Sequence, residues 1–261
     1  MRSVFVFLLM IPLVYGQQFN AMSEFGLAPP QLWASSQLFT DSVQVQLQLD
    51  YPDVQIRYRT DGQEVTESDA LYNGPLTLTQ SSQIMAKAFH PELQSSDYVS
   101  MTVDKIRYDI RTAIIQTSER PHESYKGLGP SGLVDLKRGS TAFRGNSAWM
   151  GFQTDSLQLI LRLKSPLEIE EVKVGFLEDQ GSWIFGPSHI VVFHKGDAVG
   201  AVLYKEAASS QAKEVALISI PIEKGTYTEL SILIQPLASI PDWHDGAGTT
   251  PWLFLDEILI N

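Results

Sequence analysis

The chain has 261 residues, no cysteine and a formal net charge of −11. The missing thiols exclude disulfides, thiolate metal sites and a cysteine nucleophile, and the scattered acidic excess disfavours nucleic acid and anionic membranes, both of which need clustered Lys and Arg. A domain without disulfides needs a large core, and a chain of this length can supply one.

In chain order, residues 1–16 read as a secretory signal peptide, with Arg2 as the positive end, Val4 to Val14 as a short apolar stretch, and Gly16 at the cleavage point. The apolar stretch is far shorter than the ~20 residues that span a bilayer, and no later stretch approaches that length. A mature protein starting near Gln17 is expected, exported to the periplasm or beyond. The lack of cysteine suits a bacterial source. Strand signals follow: Val43, Val45, Leu47 and Leu49 alternate with polar residues, as do Ile56, Tyr58 and Thr60. Leu157 to Leu163, Val172 to Phe176, Ile218 to Ile222 and Leu230 to Ile234 repeat the same period. Period 2 places one set of side chains on a core face, and clusters of Pro, Gly, Asp and Ser punctuate the runs. No stretch sustains a 3.6-residue apolar period. The pattern predicts an all-β protein of two sandwiches, residues 17–103 and 104–261, joined near Val103-Asp104-Lys105.

Three groups of residues invite a chemical reading. Gly127, Gly129 and Gly132 spell G-x-G-x-x-G, but His122 to Lys126 is no buried strand and Pro130 sits inside the motif. A loop rimming a sandwich is expected there, not a dinucleotide site. Asp256-Glu257 is similar to the acid/base pair of family-20 hexosaminidases. Those carboxylates sit on a (β/α)8 barrel, which takes about 250 residues and eight helices. Neighbours on a strand also point to opposite faces, so the pair is expected to diverge, and no catalytic residue is assigned. The aromatics remain. A pyranose packs its C–H face on an indole while its hydroxyls take polar partners. Trp243-His244-Asp245 offers a ring, a neutral donor/acceptor and a carboxylate in one loop. Trp183 follows a turn at Asp179-Gln180-Gly181-Ser182, and Trp149 follows Arg144-Gly145-Asn146-Ser147. The expected glycan contacts are therefore Trp243, His244, Asp245, Trp183, Trp149 and Arg144. The alternative for Trp149 and Trp183 is a plug in the sandwich core, and Trp252 is read as core.

The first sandwich resembles the immunoglobulin-like module near the C-terminus of chitobiase and β-hexosaminidase proteins. The resemblance rests on Ile56-Arg57-Tyr58-Arg59-Thr60-Asp61-Gly62, Thr66, Ser68, Leu71-Tyr72, Gly74-Pro75-Leu76 and Ile84 to Phe89. Val65 stands where that family usually has proline. The resemblance implies a spacer.

The second sandwich resembles discoidin-like (coagulation factor C-type) jelly rolls, the fold of family-32 carbohydrate-binding modules, as appended to exported bacterial glycosidases. Gly127 to Asp135, Trp149-Met150-Gly151-Phe152, Phe176-Leu177-Glu178-Asp179, Trp183 to Pro187 and the stretch Pro241 to Ile258 carry it. The resemblance implies a structural Ca²⁺ shared by an early loop and a last-strand Glu, here Asp135, Ser140 or Thr141, and Glu257. The family loop often reads Asp-Gly, where this chain has Asp135-Leu136. Together the two resemblances imply an exported, non-catalytic accessory protein that binds a glycan or polysaccharide weakly through jelly-roll loops, with a separate glycosidase as a possible companion. The alternatives are a protein-docking structural module and a split C-terminal part of a hexosaminidase-like enzyme.

Overall fold

The computed structural model describes residues 26–204, 209 and 212–261; the expected signal peptide lies outside the described residues. Among the described residues, no helix is long and apolar enough to cross a membrane.

The first part of the chain contributes eight strands: β1 (Gln31–Ala34), β2 (Leu38–Phe39), β3 (Val43–Gln48), β4 (Gln55–Arg59), β5 (Ala70–Leu71), β6 (Leu76–Leu78), β7 (Ser82–Phe89) and β8 (Val99–Lys105). They form a three-stranded sheet, β1-β3-β6, and a five-stranded sheet, β2-β8-β7-β4-β5. The alternation read from the sequence decides which side chains meet between them. Val43 and Val45 of β3 pack with Phe39, Ile84 and Val103, while Gln44 and Gln48 face water. Gly62 closes the Thr-Asp-Gly turn at φ +74, a conformation open to glycine without steric cost. Beside it, Arg59 pairs with both Asp61 and Asp69. The Arg59 hydrogen bond holds the Asp61 carboxyl at about 2, well below its ordinary value. β8 runs two residues past the expected boundary at 103, to Lys105.

The second part contributes β9 (Ile114–Thr117), β10 (Met150–Phe152), β11 (Leu157–Glu178), β12 (His189–His194), β13 (Asp197–Leu203), β14 (Glu214–Gln235) and β15 (Leu253–Ile260). The sequence pattern suggested four separate strands where the structure has two of 22 residues each, β11 and β14. Each bends and serves both layers. The first half of β11 pairs with β9 and the second half of β14; its second half pairs with β15 and the first half of β14. The register breaks between Arg162 and Leu167, and again between Ile169 and Glu171. Pro166 lies within the first break, where a missing N–H interrupts the ladder. Leu157, Leu159, Leu161, Val172, Val174 and Phe176 fill the core against Ile220, Leu230, Ile232 and Ile234.

The two parts touch through Leu38, Ile106 and Leu259, which are buried together. The Arg107 N–H donates to Asn261 Oδ1 (3.0 Å). The end of β11 and β10 pair beside the start of β15, and the end of β14 pairs with the starts of β11 and β12, so the loops 118–149, 153–156, 179–188 and 236–252 gather at one end of the second sandwich.

Candidate functional site

At that end, loops 179–187 and 240–252 interlock. Asp179 and Ile184 exchange backbone hydrogen bonds (both 3.1 Å), Trp252 N–H donates to the Trp183 carbonyl (2.8 Å), and Phe185 N–H donates to the Trp252 carbonyl (3.0 Å). The Lys213 ammonium pairs with Asp179 at 2.9 Å. His244 ties the second loop to the first. Its Nδ1 accepts from Gly246 N–H (3.0 Å), which leaves the proton on Nε2, donated to the Gln180 carbonyl at 2.9 Å.

The expected contacts divide on this frame. Trp243 is 45% exposed and Trp183 42%. Trp183 sits in the left-handed region at φ +64, a costly conformation for a bulky residue that persists only when the surroundings over-determine it. Its ring lies along Gly246, where an added Cβ would come within 3.0 Å of it. Trp243 stands beside His244 and Phe185, with ring centroids 5.7 and 6.4 Å away. Asp245 is exposed. A depression of about 490 Å³ opens beside Trp183, lined also by Gln153, Thr154, Asp155, Thr249 and Thr250.

Two of the expected glycan contacts need correction. His244 is not a free donor/acceptor, because both ring nitrogens are used in holding the loops together. Trp149 is not displayed: it is 1% exposed, its indole N–H donates to the Ser140 carbonyl (2.9 Å), and its ring fills the space that a Cβ on Gly139 would need. Arg144 is exposed on the same loop, its guanidinium 4.7 Å from the Phe143 ring centre. Beside that ring lies a group the sequence did not reveal: His122, Tyr125 and Trp252, with His122 to Trp252 centroids 5.2 Å apart and Tyr125 to Trp252 5.3 Å apart. Trp252 is half-buried rather than core. Trp252 lies far in sequence from His122 and Tyr125, so no local spacing marks the group.

Asp256-Glu257 also departs from expectation. Val174 pairs with Ile258 but Phe176 with Leu255, so β15 carries an extra residue at the pair. Such a bulge redirects side chains, and both carboxylates reach one loop instead of diverging. Asp256 Oδ2 accepts from Arg138 Nε (2.7 Å) and Gly139 N–H (2.8 Å). Glu257 Oε2 accepts from Lys137 N–H (3.1 Å), which also donates to Asp135 Oδ1 (2.9 Å). Asp256 and Glu257 are both 0% exposed, so they cannot flank a glycosidic bond. Gly175 makes the burial possible, since a Cβ there would run into Asp256 Oδ1. Arg138 completes the network by donating to the Ala216 carbonyl (2.8 Å).

For a hard cation, Asp135 and Glu257 come together, and Glu257 Oε1 is buried with no hydrogen-bond partner. Burial first, then the Asp135 and Asp256 charges, push the Glu257 carboxyl up to about 9. Leu136, at φ +63, takes the left-handed turn where Asp-Gly would have been easier. Ser140 accepts from Asn146 Nδ2 (3.2 Å), and Thr141 is exposed. Among the described residues, no group of three or more His, Asp or Glu is arranged to hold a metal. An oxygen site here would therefore rest on Asp135 and Glu257 plus backbone carbonyls.

Residues 34–100 match the chitobiase/beta-hexosaminidase C-terminal domain family. No match was found among curated proteins. Among solved structures, the chain is similar to a family-32 carbohydrate-binding module of a family-89 glycoside hydrolase from Clostridium perfringens, in complex with GalNAc-β-1,3-galactose. The identity is 10%, covering 58% of this chain and 97% of that one, with a TM-score of 0.37. It is similar to the C-terminal domain of a chitobiase from Bacteroides fragilis, at 12% identity over 59% of this chain and 95% of that one, TM-score 0.38. A family-29 fucosidase from Ruminococcus gnavus matches at 11% identity over 59% of this chain, TM-score 0.33, and the chain spans only 26% of that enzyme.

Proposed function

We propose that the chain is an exported, non-catalytic accessory protein that binds glycans with the loop rim of its second sandwich. The observation that carries this reading is Trp183, held outward in a strained backbone conformation by two interlocked loops, with Trp243 displayed on the partner loop. Strain of this kind, sustained by a dense hydrogen-bond frame, points to a side chain positioned for contact. The indoles would take the apolar face of a pyranose ring. Asp245, Gln153 and Asp155 would take its hydroxyls, Arg144 would serve the neighbouring loop, and His244 would only hold the frame. Covering about 100 Å² of indole contributes about 2.5 kcal/mol. Association costs at least about 4 kcal/mol, so single-site binding is weak, in the millimolar range near −4 kcal/mol. Such a rim acts through avidity on a polymer or a cell surface, and a separate glycosidase is the natural companion. In affinity electrophoresis against a panel of neutral polysaccharides, Trp183→Ala and Trp243→Ala each weaken retardation about tenfold. Unchanged retardation in both variants rules out the rim as the contact.

We further propose that Ca²⁺ occupies the Asp135–Glu257 turn as a structural ion, joining the loop to β15. Its chemistry would be charge neutralisation of Asp135 and of the Glu257 carboxyl, which burial otherwise forces toward the protonated form. The sign of the pH effect follows. A carboxyl raised from 4.5 to about 9 on folding keeps its proton in the folded state across that window, so its contribution to stability is greatest below pH 4.5 and is lost as pH rises toward 9. The slope is at most about 1.4 kcal/mol per pH unit. In chelator, the urea midpoint therefore falls between pH 5 and pH 8, and Glu257→Gln flattens that fall. Asp256 and Glu178, also raised by burial, leave a remainder. Added Ca²⁺ at pH 8 raises the melting temperature of the wild type but not of Glu257→Gln. A wild-type melting temperature indifferent to Ca²⁺ removes the ion from the account.

A further inference from the structure

The outward face of the β1-β3-β6 sheet is uncharged and rich in amides. Registry places Gln31 opposite Gln48, Trp33 opposite Gln46, and Gln44 opposite Thr77. The alternate residues, Leu32, Ala34, Val43, Val45, Leu76 and Leu78, are committed to the core, so the pleat fixes the outward set. None of the six outward residues carries a charge, on a chain with 19 Lys plus Arg and 30 Asp plus Glu. Trp33 is 38% exposed over a half-buried Gln46, and it precedes the segment that matches the hexosaminidase-associated family. Some of the amide capacity is spent locally. Gln44 Nε2 donates to Thr77 Oγ1 (2.8 Å), and Gln48 Nε2 donates to Asp50 at the strand end (3.0 Å). The Gln31 and Gln46 amides and the Gln44 and Gln48 side-chain carbonyls have no hydrogen-bond partner among the described residues.

We propose that this face is a second contact surface, on the first sandwich, for an extended neutral polysaccharide. Each amide presents a donor and an acceptor side by side, which matches a hydroxyl able to do both. The indole supplies the apolar platform for a ring's C–H face. Outward side chains recur about every 7 Å along a strand and about 4.8 Å between strands, a grid on the scale of successive sugar rings. A charged polymer gains nothing from a face without charge. A protein partner that desolvated these amides would have to satisfy each of them or lose about 1–3 kcal/mol per orphan, whereas hydrated sugar hydroxyls meet them directly or through water. The pairing with the loop rim is through avidity, but the face does not depend on the rim for its chemistry.

The test is depletion of the full chain onto microcrystalline cellulose and β-chitin, with variants in both backgrounds. The Trp183→Ala/Trp243→Ala double variant is expected to keep residual adsorption. Adding Trp33→Ala should weaken that residue about tenfold, and Gln46→Ala should weaken it as well. Trp33 is partly exposed, and unchanged urea midpoints confirm that the variants fold. Loss of adsorption with Trp33→Ala while the double variant binds like wild type upholds this face and removes the rim reading. The proposal is overturned if Trp33→Ala adsorbs like its parent in both backgrounds, if the wild type adsorbs to neither polymer, or if Trp33→Ala only converts a dimer to a monomer through the β1 edge.

Discussion

Arg138→Ala is expected to lower the unfolding free energy by about 3–5 kcal/mol, the cost of leaving a buried partner charge uncompensated. The Asp256 carboxylate has no route to water. It accepts from Arg138 Nε and Gly139 N–H on one oxygen, and its other oxygen faces Gly175 with no hydrogen-bond partner. Burial already raises the Asp256 carboxyl with Arg138 in place, and without the guanidinium it drives the group further toward the protonated form. The loss is therefore greater at pH 8 than at pH 5, a sign that a simple packing defect would not show. Arg138 also holds the Ala216 carbonyl of β14, so the loop loses two anchors at once. Arg138→Met/Asp256→Leu should recover much of the stability, because apolar pairs often replace buried ion pairs without loss. Urea unfolding of the three proteins at both pH values gives the answer. Equal losses at the two pH values would show that Asp256 does not rely on Arg138 for its charge.

Trp149→Ala is expected to cost about 3–5 kcal/mol through the cavity it leaves, with glycan retardation of the surviving folded protein unchanged. The ring is enclosed by Phe143, Leu177, Ile184 and Phe254, and its one polar atom is satisfied by the Ser140 carbonyl. Trp183→Ala is expected to do the reverse, losing retardation while changing the unfolding free energy by an amount typical of surface positions, within about 0.5 kcal/mol. The contrast separates two tryptophans that the sequence offered as equals. If Trp149→Ala keeps full stability, the ring does not occupy the slot beside Gly139.

Strand periodicity was legible because it is local: Val43, Val45 and Leu47 alternate whether or not their partners are known. That Leu157–Leu163 and Val172–Phe176 belong to one bent strand was not legible, since the bend depends on partners in β9, β14 and β15. The burial of Trp149 follows from the lack of a side chain at Gly139, a relation between positions that local propensity does not express. His244 looked available because its partner, the Gln180 carbonyl, lies on another loop. The divergence expected of Asp256 and Glu257 assumed an unbroken strand, and only the register against β11 exposes the extra residue. Exposure of Trp243 was readable from composition, because Asp242, Asp245 and Gly246 leave few apolar neighbours to bury the ring, whereas Trp183, followed by Ile184-Phe185, was as open to burial as Trp149. The left-handed turn at Leu136 was foreshadowed by the glycine that the resembling loops carry there.

The central claim is that the loop rim, and not the buried aromatic cluster, meets sugar. Indole N–H resonances test it directly, because the chain has five tryptophans and each reports its own surroundings. In a titration with soluble neutral oligosaccharides of glucose, galactose and N-acetylglucosamine, the Trp183 and Trp243 indoles are predicted to shift progressively with at least one sugar series, while the Trp149 indole stays fixed on the Ser140 carbonyl. Shifts confined to Trp149, or Trp183 and Trp243 indoles that do not move with any of the sugars, would contradict it.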